Sequence, residues 1–121
     1  MRRLSLMLAA AALSTGTAHA APACDLALGQ AVFVAKCATC HALDAHQVGP
    51  RLGGLLGRPA GKAKGFSFTD AMASAGFRWD VERLSAFLGD PQAYVPGTSM
   101  AFRGVSAPQE REALVCFFKH H

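Results

Sequence analysis

Helical periodicity dominates the pattern of apolar and polar positions along this chain. No segment keeps the strict alternation of a half-buried strand. In residues 26–38, Leu26, Gly29 and Phe33 recur at helical spacing, which predicts a helix running up to Cys37. The pattern therefore indicates an all-α domain.

Capping signals predict where three further helices begin. Thr69 is placed to N-cap a short helix, and Asp80 to N-cap a longer one that ends before Pro91. The last stretch of the chain has the broadest apolar face, and Ser106 with Gln109 three residues later fits a capping box at its start. The sequence pattern therefore predicts this last helix more clearly than the others.

Two long loops separate the predicted helices. Residues 46–65 are dense in glycine and contain Pro50, and residues 94–105 contain the turn signal Pro96-Gly97. Long loops in small domains often carry functional residues rather than serving only as connections. Both loops are therefore candidate parts of a functional site.

The N-terminus has the features of a secretory signal peptide. Two arginines precede an apolar run over residues 4–13, and the small residues Ala18 and Ala20 fit a cleavage site. The run is too short to cross a bilayer, which takes about 20 apolar residues. We expect residues 1–20 to be removed on export, leaving one domain over residues 21–121 with no membrane insertion.

Composition excludes several classes of protein. Apolar residues make up 51% and charged residues 17% of the 121 positions, which excludes intrinsic disorder. The net charge is +4, but two of the basic residues belong to the predicted signal peptide. The remaining ten basic and eight acidic residues give no argument for nucleic-acid binding.

The sequence Cys37-Ala38-Thr39-Cys40-His41 is the C-x-x-C-H signature of covalent haem attachment. Two thiols three residues apart on one helical turn can reach both vinyl groups of one porphyrin. The histidine that follows then lies under the iron, as the proximal ligand. Export agrees with this interpretation, because covalent haem attachment takes place outside the bacterial cytoplasm.

Other uses of the two cysteines are less consistent with the sequence. A thioredoxin-like redox pair needs a βαβ setting, and no strand is predicted. A zinc site needs a second ligand pair at suitable spacing. The remaining cysteines and histidines lie at the wrong spacings: Cys24, His46, Cys116, His120 and His121. A structural disulfide between Cys37 and Cys40 is similarly disfavoured.

A low-spin electron carrier needs a sixth iron ligand, for which Met100, Met72 and His46 are candidates. Met100 follows Pro96-Gly97 in a polar turn, where an apolar packing role explains a methionine poorly. Met72 falls inside a predicted helix, where packing explains it well. Met100 is therefore favoured, and its soft thioether would raise the reduction potential.

The chain resembles the class I cytochrome c family, in the branch shared by mitochondrial cytochrome c and bacterial photosynthetic and respiratory carriers. The resemblance covers residues 25–119. Its motifs are Cys37-x-x-Cys40-His41, Val48-Gly49-Pro50-Arg51-Leu52, Gly57-Arg58, Gly65-Phe66-Ser67-Phe68-Thr69-Asp70-Ala71, Trp79 and Tyr94-x-Pro96-Gly97-Thr98-x-Met100-x-Phe102. It implies three main helices plus short helices and long loops wrapped around one covalent haem.

The resemblance also implies roles around the iron. Cys37 and Cys40 would form the thioethers to haem c, and His41 and Met100 would be the axial ligands. The Pro50 carbonyl would accept a hydrogen bond from His41 and so fix the ring. A plain turn proline is the alternative for Pro50.

Three further residues would bind the haem propionates by the same resemblance: Arg58, Trp79 and Thr98. A solvated loop cation, a core tryptophan and an ordinary turn threonine are the respective alternatives. Gly29 would let the first and last helices cross closely, which is a structural role.

The chain departs from the mitochondrial pattern at three polar positions near the haem. Phe68 and Phe87 replace tyrosines, and Met72 replaces an asparagine. We therefore expect a more apolar pocket, with altered potential and acid stability of the methionine ligand.

The function implied is that of a soluble periplasmic one-electron carrier, monomeric and not an enzyme. Its redox partners would be a bc-type complex, a terminal oxidase, a photosynthetic reaction centre or a dehydrogenase. Two alternatives stay open: a haem peroxidase or gas sensor with a vacant sixth position, and a subunit held permanently in a dehydrogenase complex.

The expected docking face differs from the lysine ring of the mitochondrial proteins. Lys36 is retained, but the matching positions near the methionine loop are Gln92, Ala93, Ser99, Ser106 and Ala107. We expect a largely apolar contact face with Ala101, Phe102 and Val105 near the haem edge, and weak electrostatic steering.

Two cysteines are left once the haem has taken Cys37 and Cys40. An even number in an oxidising compartment suggests a disulfide between Cys24 and Cys116. The family packs the first and last helices together, which makes the approach plausible. Free thiols, or a lipid-modified Cys24, are the alternatives.

Overall fold

The structure, a computed structural model, describes residues 11–18 and 24–121. Most of the predicted signal peptide and its cleavage site lie outside the described residues. Five helices follow in chain order: α1 (Leu26–Lys36), α2 (Asp70–Ala73), α3 (Val81–Gly89), α4 (Pro91–Tyr94) and α5 (Pro108–Lys119). In the described part, the only β pairing is an isolated bridge between Pro59 and Arg78. The all-α prediction, with three main helices and two short ones, is confirmed.

Helix α1 begins and ends where the sequence pattern places it. The Asp25 carboxylate accepts a hydrogen bond from the Leu28 amide at 2.9 Å and so satisfies one of the free N–H groups of the first turn. At the other end the Cys37 amide donates to the Phe33 carbonyl at 2.8 Å. The helix thus delivers Cys37 at its C-cap.

The crossing of α1 and α5 forms the centre of the core. Gly29 is buried there, and a Cβ at this position would overlap the Ala113 carbonyl oxygen and lie 2.8 Å from the Phe117 Cβ. Phe33 stacks on Phe117 with ring centroids 5.2 Å apart, and Leu114 has no exposed surface. Each such buried side chain contributes about 1.5–3 kcal/mol. The predicted close crossing at Gly29 is confirmed.

Helices α2, α3 and α4 each begin at a side-chain cap. The Thr69 hydroxyl accepts from the Met72 amide, and Asp80 accepts from the Arg83 amide at 2.7 Å. Asp90 ends α3 and caps α4, with Pro91 in the first position of the new helix. The sequence located these boundaries, although it did not separate α4 as a helix of its own.

The capping box predicted for α5 is wrong. The N-cap is Ala107, which makes no side-chain cap, and Ser106 lies outside the helix. Pro108 occupies the first helical position, where its fixed φ fits and its missing N–H costs nothing. The Arg111 guanidinium instead secures the approach to the helix, donating to the Val105 carbonyl at 2.7 Å.

Among the described residues, no helix has the length and apolar character needed to cross a lipid bilayer.

Candidate functional site

One cavity brings together all eight residues that the sequence singled out. It lies between the C-terminal end of α1, the loops on either side of α2, and the loop before α5. Its lining includes Cys37, Cys40, His41, Pro50, Arg58, Trp79, Thr98 and Met100. The rest of the wall is largely apolar and includes Leu52, Leu55, Phe66, Phe68, Met72, Leu84, Phe87, Leu88 and Phe118.

The two cysteines lie on one turn that continues α1. Both the Cys40 and the His41 amides donate to the Cys37 carbonyl, at 3.0 and 2.9 Å. Cys37 is buried and Cys40 exposed, and neither is in a disulfide. Burial, only partly opposed by the charge of Lys36, raises the pKa of the Cys37 thiol to about 11. A thiol this weakly acidic is unsuited to thiol–disulfide exchange, which needs the thiolate.

His41 is held in one orientation and one tautomer. Only 9% of the residue is exposed, and Nδ1 lies 2.7 Å from the Pro50 carbonyl oxygen. Because a carbonyl can only accept, Nδ1 carries the proton and Nε2 keeps its lone pair. Burial lowers the pKa of the ring, although the Pro50 hydrogen bond acts in the opposite direction. The neutral imidazole therefore offers Nε2 as a ligand.

Gly49 provides the space that the His41 ring occupies. A Cβ at this position would overlap the ring. The Gly49 amide also donates to the Cys40 carbonyl at 2.8 Å, which ties the loop to the cysteine turn. In the sequence Gly49 stands out only as part of a motif. A glycine next to the proline that binds the histidine was the available signal.

The Met100 loop is held by hydrogen bonds of its own. The Thr98 amide donates to the Val95 carbonyl at 3.0 Å, and the Thr98 hydroxyl accepts from the Met100 amide at 3.3 Å. The Gln92 side chain donates from α4 to the Met100 carbonyl at 2.7 Å. In the sequence Gln92 stands out only as a position without a lysine, because no local pattern indicates this contact.

The other two candidate ligands are placed differently. Both ring nitrogens of His46 are engaged: Nδ1 accepts from the Arg51 amide at 3.0 Å, and Nε2 donates to the Lys64 carbonyl at 2.7 Å. His46 does not line the cavity, whereas Met72 does so from α2 and is partly buried. Met72 is therefore the only one of the two that shares the cavity with His41.

Side chains that can donate hydrogen bonds line one part of the cavity. Trp79 is 6% exposed, and its indole ring, which carries one N–H donor, lines the cavity. Arg58 is half-buried, and burial together with the nearby charge of Arg51 lowers the pKa of its guanidinium. No carboxylate of the described residues forms an ion pair with Arg58. N–H donors that face a cavity in this way suit an anionic group within it.

The donor set fits a covalently attached haem. Cys37 and Cys40 supply two thiols one helical turn apart, and His41 supplies the neutral imidazole that follows them. Met100 supplies a thioether from another loop, and Arg58 and Trp79 carry N–H groups that can bind carboxylates. The predicted apolar replacements Phe68, Phe87 and Met72 all line the cavity. Apolar walls exclude water from the site, which favours the less charged state of an enclosed metal centre.

The predicted contact face needs one correction. Val105 has no exposed surface, and its amide donates to the Leu88 carbonyl at 2.7 Å, so it belongs to the core. The Val105 side chain is buried because its segment packs against α3 before the chain enters α5. Ala101 and Phe102 do line the cavity, as expected.

Comparisons with known proteins agree with this geometry. A family model for cytochrome c matches residues 26–121. Cytochrome c of Chlamydomonas reinhardtii is 42% identical over 102 residues, which cover 82% of this chain and 91% of that protein. Cytochrome c of Arabidopsis thaliana is 40% identical over 98 residues, or 78% of this chain and 88% of that protein.

A solved structure extends the comparison to the fold. Cytochrome cH from Methylobacterium extorquens superposes with a TM-score of 0.77 and 38% sequence identity. The match covers 80% of this chain and 99% of that structure. The chain belongs to the class I cytochrome c family, a family of electron carriers with covalently attached haem c.

Proposed function

We propose that this chain is a periplasmic one-electron carrier, exported by the signal peptide of residues 1–20 and active as the domain of residues 21–121. Cys37 and Cys40 would attach the haem, and His41 and Met100 would ligate its iron. The bound haem supplies a one-electron couple between Fe(II) and Fe(III).

The observation that carries the proposal is the hydrogen bond from His41 Nδ1 to the Pro50 carbonyl at 2.7 Å. It fixes the ring, keeps the proton on Nδ1 and raises the basicity of Nε2. His46 makes a similar bond to a backbone carbonyl, but only His41 lines the cavity together with Cys37 and Cys40. Met100 lies on a separate loop that lines the same cavity, and its thioether would serve as the second protein ligand of the iron, which a peroxidase or gas sensor lacks.

Arg58, Trp79 and Thr98 are proposed to hold the haem propionates. The proposal is supported by the place of the Trp79 indole in the cavity wall and by the half-buried guanidinium of Arg58. The Thr98 hydroxyl accepts from the Met100 amide, so its own hydrogen is free to be donated. These donors would orient the group without taking part in electron transfer.

Optical spectroscopy of the purified, haem-loaded protein tests the axial ligands. The oxidised protein should show the weak far-red band of sulfur-to-iron charge transfer, and Met100→Ala should abolish it and permit carbon monoxide binding to the reduced form. Met72→Leu, which removes the other cavity methionine, should keep the band. Persistence of the band in Met100→Ala would refute the assignment.

The docking face is proposed to be nearly neutral. Lys36, the retained lysine at the cavity, forms an ion pair with Glu110 at 3.1 Å. At the same cavity Val48 is 78% exposed, and Ala101 contributes further apolar surface. Recognition of a bc-type complex, oxidase, reaction centre or dehydrogenase would then depend mainly on apolar contact.

Reaction rates at different ionic strengths test this face. The second-order rate constant with the native partner should change less than about tenfold between low and high salt. Glu110→Gln, which frees the Lys36 charge, should increase the dependence toward an acidic partner. A fall of several orders of magnitude in the unmodified protein would contradict a neutral face.

A disulfide between Cys24 and Cys116 is proposed for the oxidising compartment. Their Cα atoms are 5.8 Å apart, a separation that a disulfide spans. The chain-entropy model assigns about 4–5 kcal/mol to a loop of this length, less where the haem already restrains the unfolded chain. Mass spectrometry after alkylation of the denatured, unreduced protein tests it, because two alkylated thiols on the haem-bearing chain would exclude the bond.

A further inference from the structure

Two guanidinium groups lie side by side at the edge of the cavity. Arg51 Nη1 donates to the Gly53 carbonyl at 3.1 Å, and Arg58 Nη1 reaches the same oxygen at 3.5 Å. Arg58 Nη2 also donates to the Arg51 carbonyl at 2.9 Å. The backbone thus holds both cations in one place, although their mutual repulsion opposes this arrangement.

No acidic side chain among the described residues forms an ion pair with either guanidinium. The ion pairs formed in the described part of the chain join Lys36 to Glu110 and Arg83 to Asp80. The segments packed against the two arginines carry Asp44, His46, Lys64, Arg78 and Asp80, and none of these side chains forms an ion pair with either guanidinium. Two partly buried, uncompensated cations are costly unless an anion completes the site.

We infer that Arg51 is a second cation of the carboxylate-binding site, acting beside Arg58 to hold a haem propionate ionised and to raise the reduction potential. The inference rests on the proposed function. Arg58 lines the cavity and Arg51 lies immediately behind it. Arg51 is therefore a positioning residue, whose charge acts on the carboxylate and on the iron without belonging to the cavity wall.

The physical reason is electrostatic. Oxidised haem carries one more positive charge than reduced haem, so a fixed cation nearby favours the reduced state. A charge about 10 Å away, at the effective dielectric constant of about 20 that suits such sites, changes the equilibrium by up to roughly 15-fold. Exposure of the guanidinium edge to water reduces this, and we expect a change of about 3- to 10-fold.

Potentiometric titration of the haem-loaded protein provides the test. Arg51→Gln should lower the equilibrium constant for reduction by about 3- to 10-fold, which is about 30–60 mV for a one-electron couple. Arg51→Lys keeps the charge but loses the guanidinium fork, so its reduction potential should lie close to that of the unmodified protein. Lys119→Gln is the matched control, because it removes an exposed cation near the end of α5 that does not line the cavity.

The outcomes separate this inference from the proposed function. If Arg51→Gln keeps the far-red band and its potential equals that of the unmodified protein or of Lys119→Gln, Arg51 has no such role. If Arg51→Lys lowers the potential as much as Arg51→Gln, the effect belongs to the packing of the Gly53 loop and the inference is again wrong. Absence of the far-red band in the unmodified protein would instead refute the His41/Met100 ligation.

Discussion

The crossing of α1 with α5 and the two loops that carry His41 and Met100 are built by different forces. At the crossing, side chains such as Phe33 and Leu114 are almost completely buried, and a glycine lets the backbones approach. In the loops, a few hydrogen bonds hold each proposed ligand in position. The helices therefore supply most of the stability, and the loops supply the ligand geometry.

The magnitudes explain why the two regions should respond differently to mutation. A buried apolar side chain contributes about 1.5–3 kcal/mol, and many of them share the crossing. A loop hydrogen bond contributes a net stability of only about 0.5–1.5 kcal/mol. Changes at the crossing should therefore unfold the protein, whereas changes in the loops should alter ligation while the fold survives.

Gly29→Val should have the largest effect on stability. Its branched side chain meets the Ala113 carbonyl and Phe117, so the helices must separate, at a cost of about 3 kcal/mol or more. Denaturant unfolding of the haem-loaded protein measures this cost. The potential of the folded fraction should change little. Ala27→Val, at an exposed position of α1, is the control. If Gly29→Val and Ala27→Val were equally stable, the close approach of α1 and α5 would not be needed for stability.

Gly49→Ala should have an intermediate effect on stability and a pronounced effect on ligation. The added methyl group overlaps the His41 ring, which must turn away from Pro50 at a combined cost of about 2 kcal/mol. The far-red band and the potential should both change. Gly89→Ala is the control, since its nearest neighbour is 3.8 Å from an added Cβ. Unchanged spectra in Gly49→Ala would show that the ring adapts and that its orientation is not critical.

Gln92→Ala should have the smallest effect on stability. It removes the hydrogen bond from α4 to the Met100 carbonyl, worth about 1 kcal/mol. The loop should release the methionine at lower denaturant concentration than the unmodified protein, before global unfolding. The far-red band followed against denaturant, beside the helical signal, measures the difference. Gln109→Ala, which changes an exposed glutamine of α5, is the control. In this variant the far-red band and the helical signal should be lost at the same denaturant concentration, as in the unmodified protein.

Local chemistry in the sequence determined most of the scaffold and the likeness to a known family. The C-x-x-C-H signature depends on covalent spacing along one turn. The caps at Thr69 and Asp80 depend on side chains that bond to amides only three residues away. Such features need no knowledge of distant contacts, so sequence patterns predict them well.

Tertiary structure decided the features that join distant parts of the chain. Val105 looks like surface in the sequence but is buried where its segment meets α3, and Ser106 is displaced from the cap because Pro108 takes the first helical position. The contact of Gln92 with Met100 and the shared acceptor of Arg51 and Arg58 arise only when loops fold onto one another. The sequence by itself specified which groups could bind a haem, because composition and spacing carry that chemistry. Only the packing of the loops decided which donors and charges surround it, because those depend on distances between residues that no local pattern records.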